Sequence, residues 1–248
     1  MTGSRAGTLY LVPTGLGTTD PLPQLPSATL ETVRRIQHFF AENPRSARAF
    51  LKAVSHPRGL RDLVIDIVDE HTPQTHLREL LQPLLAGNDC ALMSEAGCPA
   101  VADPGAALVR ECHDAAIRVV PLVGPSSLLL AVMASGMNGQ RFMFHGYLPV
   151  EREPRARRLK ALEAESEKNR ATQLFIEAPY RNTAMFETVV AVCRPDTLLC
   201  VATDLTLPTE SVRTQPVSRW KGTQIAIDRR PTVFLLYRGG ERGAAQKR

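Results

Sequence analysis

Short β-branched or apolar runs alternate along the whole chain with stretches of helical period, and this alternation restricts the chain to α/β architectures with largely parallel strand pairing. The first strand reads Thr8-Leu-Tyr-Leu-Val-Pro13. A helix is predicted from about Ser27, a candidate N-cap, with Leu30, Val33, Ile36 or Gln37, and Phe40 along one face. Asn43-Pro44 and Thr72-Pro73 both have the cap-then-proline form of a helix start, the second leading through Leu77, Leu80, Leu81 and Leu84 to a stop at Gly87. A strand Cys90 to Met93, a helix opened by Asp103-Pro104 and a strand Arg118 to Val123 complete the first half. The second half repeats the pattern. It begins with an apolar helix, Ser126 to Met133, and a strand, Phe142 to His145. A charged helix follows from Arg155, then a strand Gln173 to Ile176 and a helix Asn182 to Val192. Strands Leu198 to Ala202 and Thr232 to Tyr237 come last. Gly124-Pro125 is the best break, giving two α/β domains in tandem, residues 1–123 and 124–248, each within the usual domain range. The tail from Glu241 to Arg248 is expected to fray.

Composition narrows the class further. With 44% hydrophobic and 22% charged residues in 248, the chain is neither disordered nor fibrous. No segment approaches the roughly 18 to 20 uninterrupted apolar residues of a membrane span. The start, Met1 to Gly7, has no apolar core or cleavage site of a secretory signal, so a cytoplasmic protein is expected. Cys90, Cys98, Cys112, Cys193 and Cys200 form no C-x-x-C pair and are odd in number, which reads as reduced thiols. Residues 1–125 carry 11 Lys and Arg against 13 Asp and Glu, whereas 126–248 carry 19 against 12. The positive charge therefore belongs to the second half, and an anionic partner is one reading of it; Arg codon preference is another.

Ligands of open α/β sheets bind beyond the carboxyl ends of the strands, so the loops there carry the chemistry. Gly15-x-Gly17 lacks the third glycine of a dinucleotide fingerprint, and no glycine precedes Lys-Ser or Lys-Thr as in a phosphate-binding P-loop. The loop Ser94-Glu-Ala-Gly-Cys-Pro-Ala-Val-Ala-Asp-Pro-Gly105 is poor in side chains and would present a fixed wall of backbone amides and carbonyls. Asp103 before Pro104 reads first as a helix cap. Gly124-Pro-Ser-Ser127 leads into the apolar helix, whose first amides could meet a polar ligand or simply be capped by the serines. His71 and His76 near Asp69 and Glu70 lack the spacing of a zinc helix, so no metal is expected. Cys98 has no adjacent base to activate it, and no G-x-S-x-G elbow exists.

Together these loops resemble the tetrapyrrole methylase superfamily of S-adenosylmethionine-dependent methyltransferases, in the branch similar to bacterial 16S rRNA cytidine ribose 2′-O-methyltransferases. The resemblance runs from Leu9 to Tyr237. Its most specific piece is Ser94 to Gly105, which follows the branch's Ser-Asp-Ala-Gly-x-Pro-x-Ile-x-Asp-Pro-Gly with Glu95 in the place of Asp. Val119-Val-Pro-Leu-Val-Gly-Pro-Ser-Ser127 and Gly146-Tyr-Leu-Pro149 match further stretches in order. Three segments depart. Ala41-Glu-Asn-Pro-Arg45 has Asn43 and Pro44 for Asp and Thr, Glu177-Ala-Pro-Tyr-Arg181 has Tyr180 for His, and Pro13-Thr-Gly-Leu-Gly-Thr18 stands for Pro-Thr-Pro-x-Gly-Asn.

The resemblance implies two αβα domains with the cofactor in the cleft between them, normally in a homodimer. It implies S-adenosylmethionine held by Leu16, Gly17, Ala96, Gly97, Cys98, Val101, Ser126 and Ser127, with Glu177 and Thr206 at the second domain's cofactor-facing positions. The implied substrate is ribosomal RNA or the small ribosomal subunit, with methylation of a small molecule, or a non-catalytic RNA-binding module, as alternatives. Arg45, Arg48 and Arg181 are substrate-side candidates, and Arg155, Arg157, Arg158 and Lys160 could add to an electrostatic footprint or form a solvated helix face. If the acceptor is a sugar hydroxyl, a base must take its proton, and Glu42, His71, Asp103 and Glu177 are the candidates.

Overall fold

The computed structural model describes residues 6–17 and 20–239, so Thr18 of the first loop and the tail from Glu241 lie outside the described residues. The chain divides into two compact units, Met1–Ser126 and Ser127–Arg248. Each is built on its own five-stranded sheet.

In the first unit the elements are β1 (Thr8–Val12), α1 (Ser27–Val33), β2 (His38–Ala41), α2 (Pro44–Ala53), β3 (Val64–Ile67), α3 (Gln74–Glu79), α4 (Gln82–Leu85), β4 (Cys90–Met93), α5 (Ala106–Asp114) and β5 (Arg118–Pro121). The sheet order is β3-β2-β4-β1-β5 and each of these pairs is parallel. Both faces are covered. Phe39 packs with Val33, Leu51 and Met93 on one side, and its neighbour Phe40 packs with Leu9, Leu84 and Leu108 on the other. A strand buried on both faces shows no polar alternation.

That double burial explains one correction. The helix predicted from Ser27 through Phe40 ends at Val33, and His38–Ala41 is a strand, because Phe40 belongs to the opposite face of the sheet. Ser27 is the first helical residue, and Pro26, extended at ψ 149°, holds the cap position instead. Asn43 and Pro44 start α2 as expected, with the Asn43 side chain accepting from the Arg45 amide. The helix expected from Thr72-Pro73 through Leu84 is split into α3 and α4, since Pro83 near the start of α4 has no amide with which to continue α3. Thr72 turns back instead and donates its hydroxyl to Asp69 Oδ1 at 2.8 Å. The helix expected at Asp103-Pro104 starts later, at Ala106.

The second unit contains α6 (Ser127–Ser135), β6 (Phe142–Tyr147), α7 (Arg152–Asn169), β7 (Thr172–Ile176), α8 (Asn182–Val192), β8 (Leu198–Thr203), β9 (Ser211–Pro216), α9 (Val217–Trp220) and β10 (Thr232–Tyr237). Its order is β6-β7-β10-β8-β9. Only the β6–β7 pair among these is parallel; β10 runs antiparallel to both β7 and β8, and β9 antiparallel to β8. The expectation of largely parallel pairing therefore fails in this half. A seven-residue turn returns β8 directly into β9, and a hairpin-length connection cannot make a parallel crossover. One layer over this sheet is α7, α8 and α9, around Leu159, Phe186, Val189 and Trp220; the other is α6. Among the described residues no helix is long and apolar enough to cross a membrane.

Candidate functional site

Parallel pairing brings the carboxyl ends of all five strands of the first unit to one edge of the sheet, and the loops that leave them meet there. Thr14, after β1, donates its amide to Gly97 O at 2.9 Å. Ser94, after β4, donates its hydroxyl to the same carbonyl at 2.8 Å, and Thr14 Oγ1 donates to Ser94 O at 3.3 Å. Cys98 Sγ reaches Pro125 O, after β5, at 3.4 Å. Gly97 and Cys98 are thus where three loops meet.

The junction is tight around Gly97. Gly97 has φ +72°, and a Cβ there would lie 3.2 Å from Leu16 Cδ2 and 3.6 Å from Pro125 O. At the far end of the loop a Cβ on Gly105 would lie 2.5 Å from Leu92 Cδ2. Between them Ala100 and Ala102 are left-handed, at φ +63° and +58°, a conformation that costs an L residue roughly 1–2 kcal/mol. Such strain is held only where its surroundings over-determine it, and it concentrates at ligand sites. Ala96 and Val101 of this loop are exposed, Gly17 is exposed and Leu16 buried, and Ser126 is half-buried.

Carboxylates crowd beside this junction. Glu42 follows β2, and burial together with the charges of Asp103, Glu95, Glu70 and Asp69 raises its carboxyl above the ordinary value. Burial also raises Asp103, although the Gly105 amide at 3.2 Å pulls the other way. Asp69 is lowered, chiefly by the Thr72 hydroxyl. His71 is exposed and lies 3.5 Å from Glu70, and His76 pairs with Glu79 at 3.0 Å. Among the described residues no group of three His, Cys, Asp or Glu is arranged to hold a metal ion. Burial pushes the thiols of Cys90, Cys112 and Cys193 up to about 12 and raises that of Cys98, so none is poised as a thiolate.

In the second unit the corresponding edge holds Glu177, directly after β7. Its side chain is 0% exposed; Oε1 accepts from Arg181 Nη2 at 2.6 Å, Arg181 Nε at 2.9 Å and the Ala178 amide at 2.8 Å. Oε2 is buried with no hydrogen-bond partner among the described residues, and so is Oδ1 of Asn182, the residue after Arg181. After β8, Thr206 is exposed at φ +74°, its amide donating to Glu210 Oε2 at 2.6 Å. Ser127 begins α6.

A family model described as Tetrapyrrole (Corrin/Porphyrin) Methylases matches residues 8–219. The chain belongs to this family. It is accordingly a methyltransferase, and its two sheets are the two halves of the tetrapyrrole methylase fold. Ribosomal RNA small subunit methyltransferase I of Escherichia coli O157:H7 is 35% identical over 211 residues, which are 85% of this chain and 70% of that protein. The Haemophilus influenzae protein of the same name is 32% identical over 206 residues, 83% of this chain and 69% of that one. The crystal structure of the methyltransferase CobJ superposes with a TM-score of 0.59 over 94% of both chains at 15% identity, a likeness of fold.

Within this tetrapyrrole methylase the candidates from sequence fall into separate groups. Leu16, Gly17, Ala96, Gly97, Cys98, Val101 and Ser126 belong to the interlocked loops of the first unit, with Glu42 and Asp103 near one another; Glu177 and Arg181 form one ion pair in the second. Arg45 and Arg48 are exposed on α2. Arg155 is a correction: it is 6% exposed, donating to Thr188 Oγ1 and to Val150 O, so it holds α7 to α8 and offers no charge to solvent. Arg158 is likewise engaged, with Glu165 at 2.9 Å and His145 Nδ1 at 3.1 Å. Arg157 and Lys160 remain exposed.

Two interactions that shape these loops have no local sequence signal. Asn43 Nδ2 donates to Glu95 Oε1 at 2.9 Å and Ser46 Oγ donates to it at 3.2 Å, joining the loops after β2 and β4. In the second unit Arg230 donates to Asp204 Oδ2 and Thr209 O, and Asn182 Nδ2 donates to Arg230 O at 2.7 Å. The partners are separated by tens of residues, so no spacing pattern announces them.

Proposed function

We propose that this methyltransferase uses S-adenosylmethionine to methylate a ribose 2′-hydroxyl of ribosomal RNA in the small subunit, in the cytoplasm. The observation that carries the reading is the Gly97 junction, where a Cβ would press on Leu16 and Pro125 and where Ala100 and Ala102 of the same loop are left-handed, in a chain whose relatives bear a ribosomal RNA methyltransferase name. S-adenosylmethionine supplies, when bound, a methyl group already attached to a good leaving group, so orientation and exclusion of water do most of the work. In the first unit Leu16, Gly17, Ala96, Gly97, Cys98, Val101 and Ser126 are its proposed contacts, largely through backbone groups; within the second unit the candidates are Ser127, Glu177 and Thr206.

A hydroxyl acceptor needs a base, and Glu42 fits that task best. Its raised carboxyl has more affinity for a proton than an ordinary one, while His71 is solvated, Asp103 is held by the Gly105 amide and Glu177 is neutralised by Arg181. With Arg181 committed to Glu177, Arg45 and Arg48 are left as phosphate contacts on the first unit. The homodimer finds support in α6 and β6, where Leu129, Met133 and Tyr147 are 53%, 78% and 62% exposed.

Label transfer from tritiated S-adenosylmethionine to small ribosomal subunits, naked rRNA and a metabolite extract tests the reading. Label at a single ribose position is the expected result. Label confined to metabolites would replace the substrate with a small molecule.

A further inference from the structure

The second unit contains a cavity of about 210 Å³ that none of the residues discussed so far as cofactor, proton or substrate contacts lines. One water needs roughly 10–15 Å³ on this kind of scale, so the space admits a polyatomic ligand. Its walls include Thr203 at the end of β8, Ser211 and Arg213 of β9, Trp220 of α9, Gln224 and Arg230. No lining residue is acidic.

The two arginines play different parts. Arg230 is fixed by Asp204 and by the carbonyls of Thr209 and Ala226, which stiffens one wall. Arg213 lies with its guanidinium carbon 5.0 Å from the centre of the Trp220 ring, and no described carboxylate pairs with it. On β9 the neighbouring Thr214 donates to Ser135 O of α6, so alternation turns Arg213 to the other face of the sheet, where Trp220 is buried. A guanidinium held over an aromatic ring, with no side-chain hydrogen bond to another described residue and with hydroxyl and amide groups around it, is suited to a tetrahedral oxyanion.

We propose that this cavity is a phosphate subsite that receives a phosphodiester of the RNA the enzyme methylates. The proposal rests on the RNA reading above, and it assigns Arg213 as the group that takes two phosphate oxygens, with Gln224 and Ser211 as neutral donors beside it.

Trp220 is the only tryptophan in the chain, so its fluorescence reports on the cavity directly. The full-length protein is titrated with sodium phosphate, with sodium chloride at matched ionic strength, with a single-stranded oligoribonucleotide and with S-adenosylmethionine. Phosphate and RNA should each give a saturable change, and chloride none. Arg213→Gln should abolish both fluorescence responses and, in filter binding of labelled RNA, raise the RNA Kd several-fold and flatten its dependence on log salt by about one unit, with cofactor affinity by calorimetry unchanged. Should Arg213→Gln fail to fold, Arg213→Lys retains the charge without the fork, and should weaken RNA binding while keeping the wild-type salt slope.

Equal responses to phosphate and chloride would overturn the proposal, as would wild-type RNA affinity and salt slope in Arg213→Gln. A response to phosphate with none to RNA would overturn the RNA source in favour of a free phosphate compound. Competition between phosphate and S-adenosylmethionine would reassign the cavity to the cofactor. Methyl transfer to small subunits, assayed on the same wild-type preparation, separates failure of this subsite from failure of the RNA reading.

Discussion

Asn43 and Glu95 hold each other across the carboxyl edge of the first sheet, the Asn43 amide donating to Glu95 Oε1 at 2.9 Å. Both stand where the segments of the resembling branch have Asp, and here an amide donor meets the carboxylate. An Asp at 43 would set a second carboxylate against Glu95 among Glu42, Asp69 and Asp103. Asn43→Asp should therefore lose up to about 1 kcal/mol at pH 8, most of it regained with Glu95→Gln, as read by a double-mutant cycle of urea midpoints. Additive effects would show that the contact is incidental.

At the Gly97 junction, substitution tests fold and cofactor separately. Gly97→Ala should cost roughly 1–2 kcal/mol from its positive φ, with the 3.2 Å approach to Leu16 as an added strain. Gly97→Asp should in addition abolish S-adenosylmethionine binding in calorimetry while circular dichroism stays native. Unchanged cofactor affinity would remove this junction from the cofactor site.

Glu177 and Arg181 are an asymmetric pair. Arg181→Met leaves a fully buried carboxylate with only the Ala178 amide as a described donor, and should cost about 3 kcal/mol in denaturant unfolding. Glu177→Gln removes the charge that needs compensation and should cost less. The reverse order would mean that Arg181 matters through packing rather than through its charge.

Glu42 links stability to catalysis through pH. Its folded carboxyl is raised, so the folded state holds the proton more tightly than the unfolded chain does. Its contribution is then favourable below the unfolded value and is lost as pH rises through the raised folded one. Glu42→Gln should make the protein more stable at pH 8 and remove methyl transfer to RNA, with the acid limb of the wild-type kcat profile lying above the ordinary Glu value. Retained transfer in Glu42→Gln would exclude it as the base.

The α6 surface gives the oligomer test. Leu129 and Met133 are one helical turn apart and exposed, and Met133→Glu should turn a dimer into a monomer by sedimentation without lowering the thermal midpoint of the monomer. A monomeric wild type would remove the homodimer from the reading.

What the sequence disclosed depended on whether its signal was local. The start of α2 at Asn43-Pro44, the bounds of α8 and the loop Ser94 to Gly105 were legible because caps, prolines and glycines act on their immediate neighbours. The strand His38–Ala41 was hidden because burial of Phe39 and Phe40 on opposite faces continues the helical spacing of the residues before it. β9, Ser-Val-Arg-Thr-Gln-Pro, was hidden because an edge strand of mostly polar residues carries no apolar alternation. Without a signal for β9, the antiparallel half of the second sheet has none either. The pairing of Asn43 with Glu95, and the burial of Arg155, arise from tertiary contacts with no nearby spacing to betray them.

The reversed direction of β10 has a practical side. Thr232 sits opposite Thr203 and Tyr237 opposite Leu198, so the strand enters the sheet beside the loops that follow β7 and β8 and leaves it at the opposite edge. A purification handle, dye or surface tether joined after Arg238 would start from the far edge of this sheet, away from Glu177 and from the walls of the Arg213 cavity. Immobilised protein prepared in that way should present those loops to an RNA in solution without a linker having to cross them.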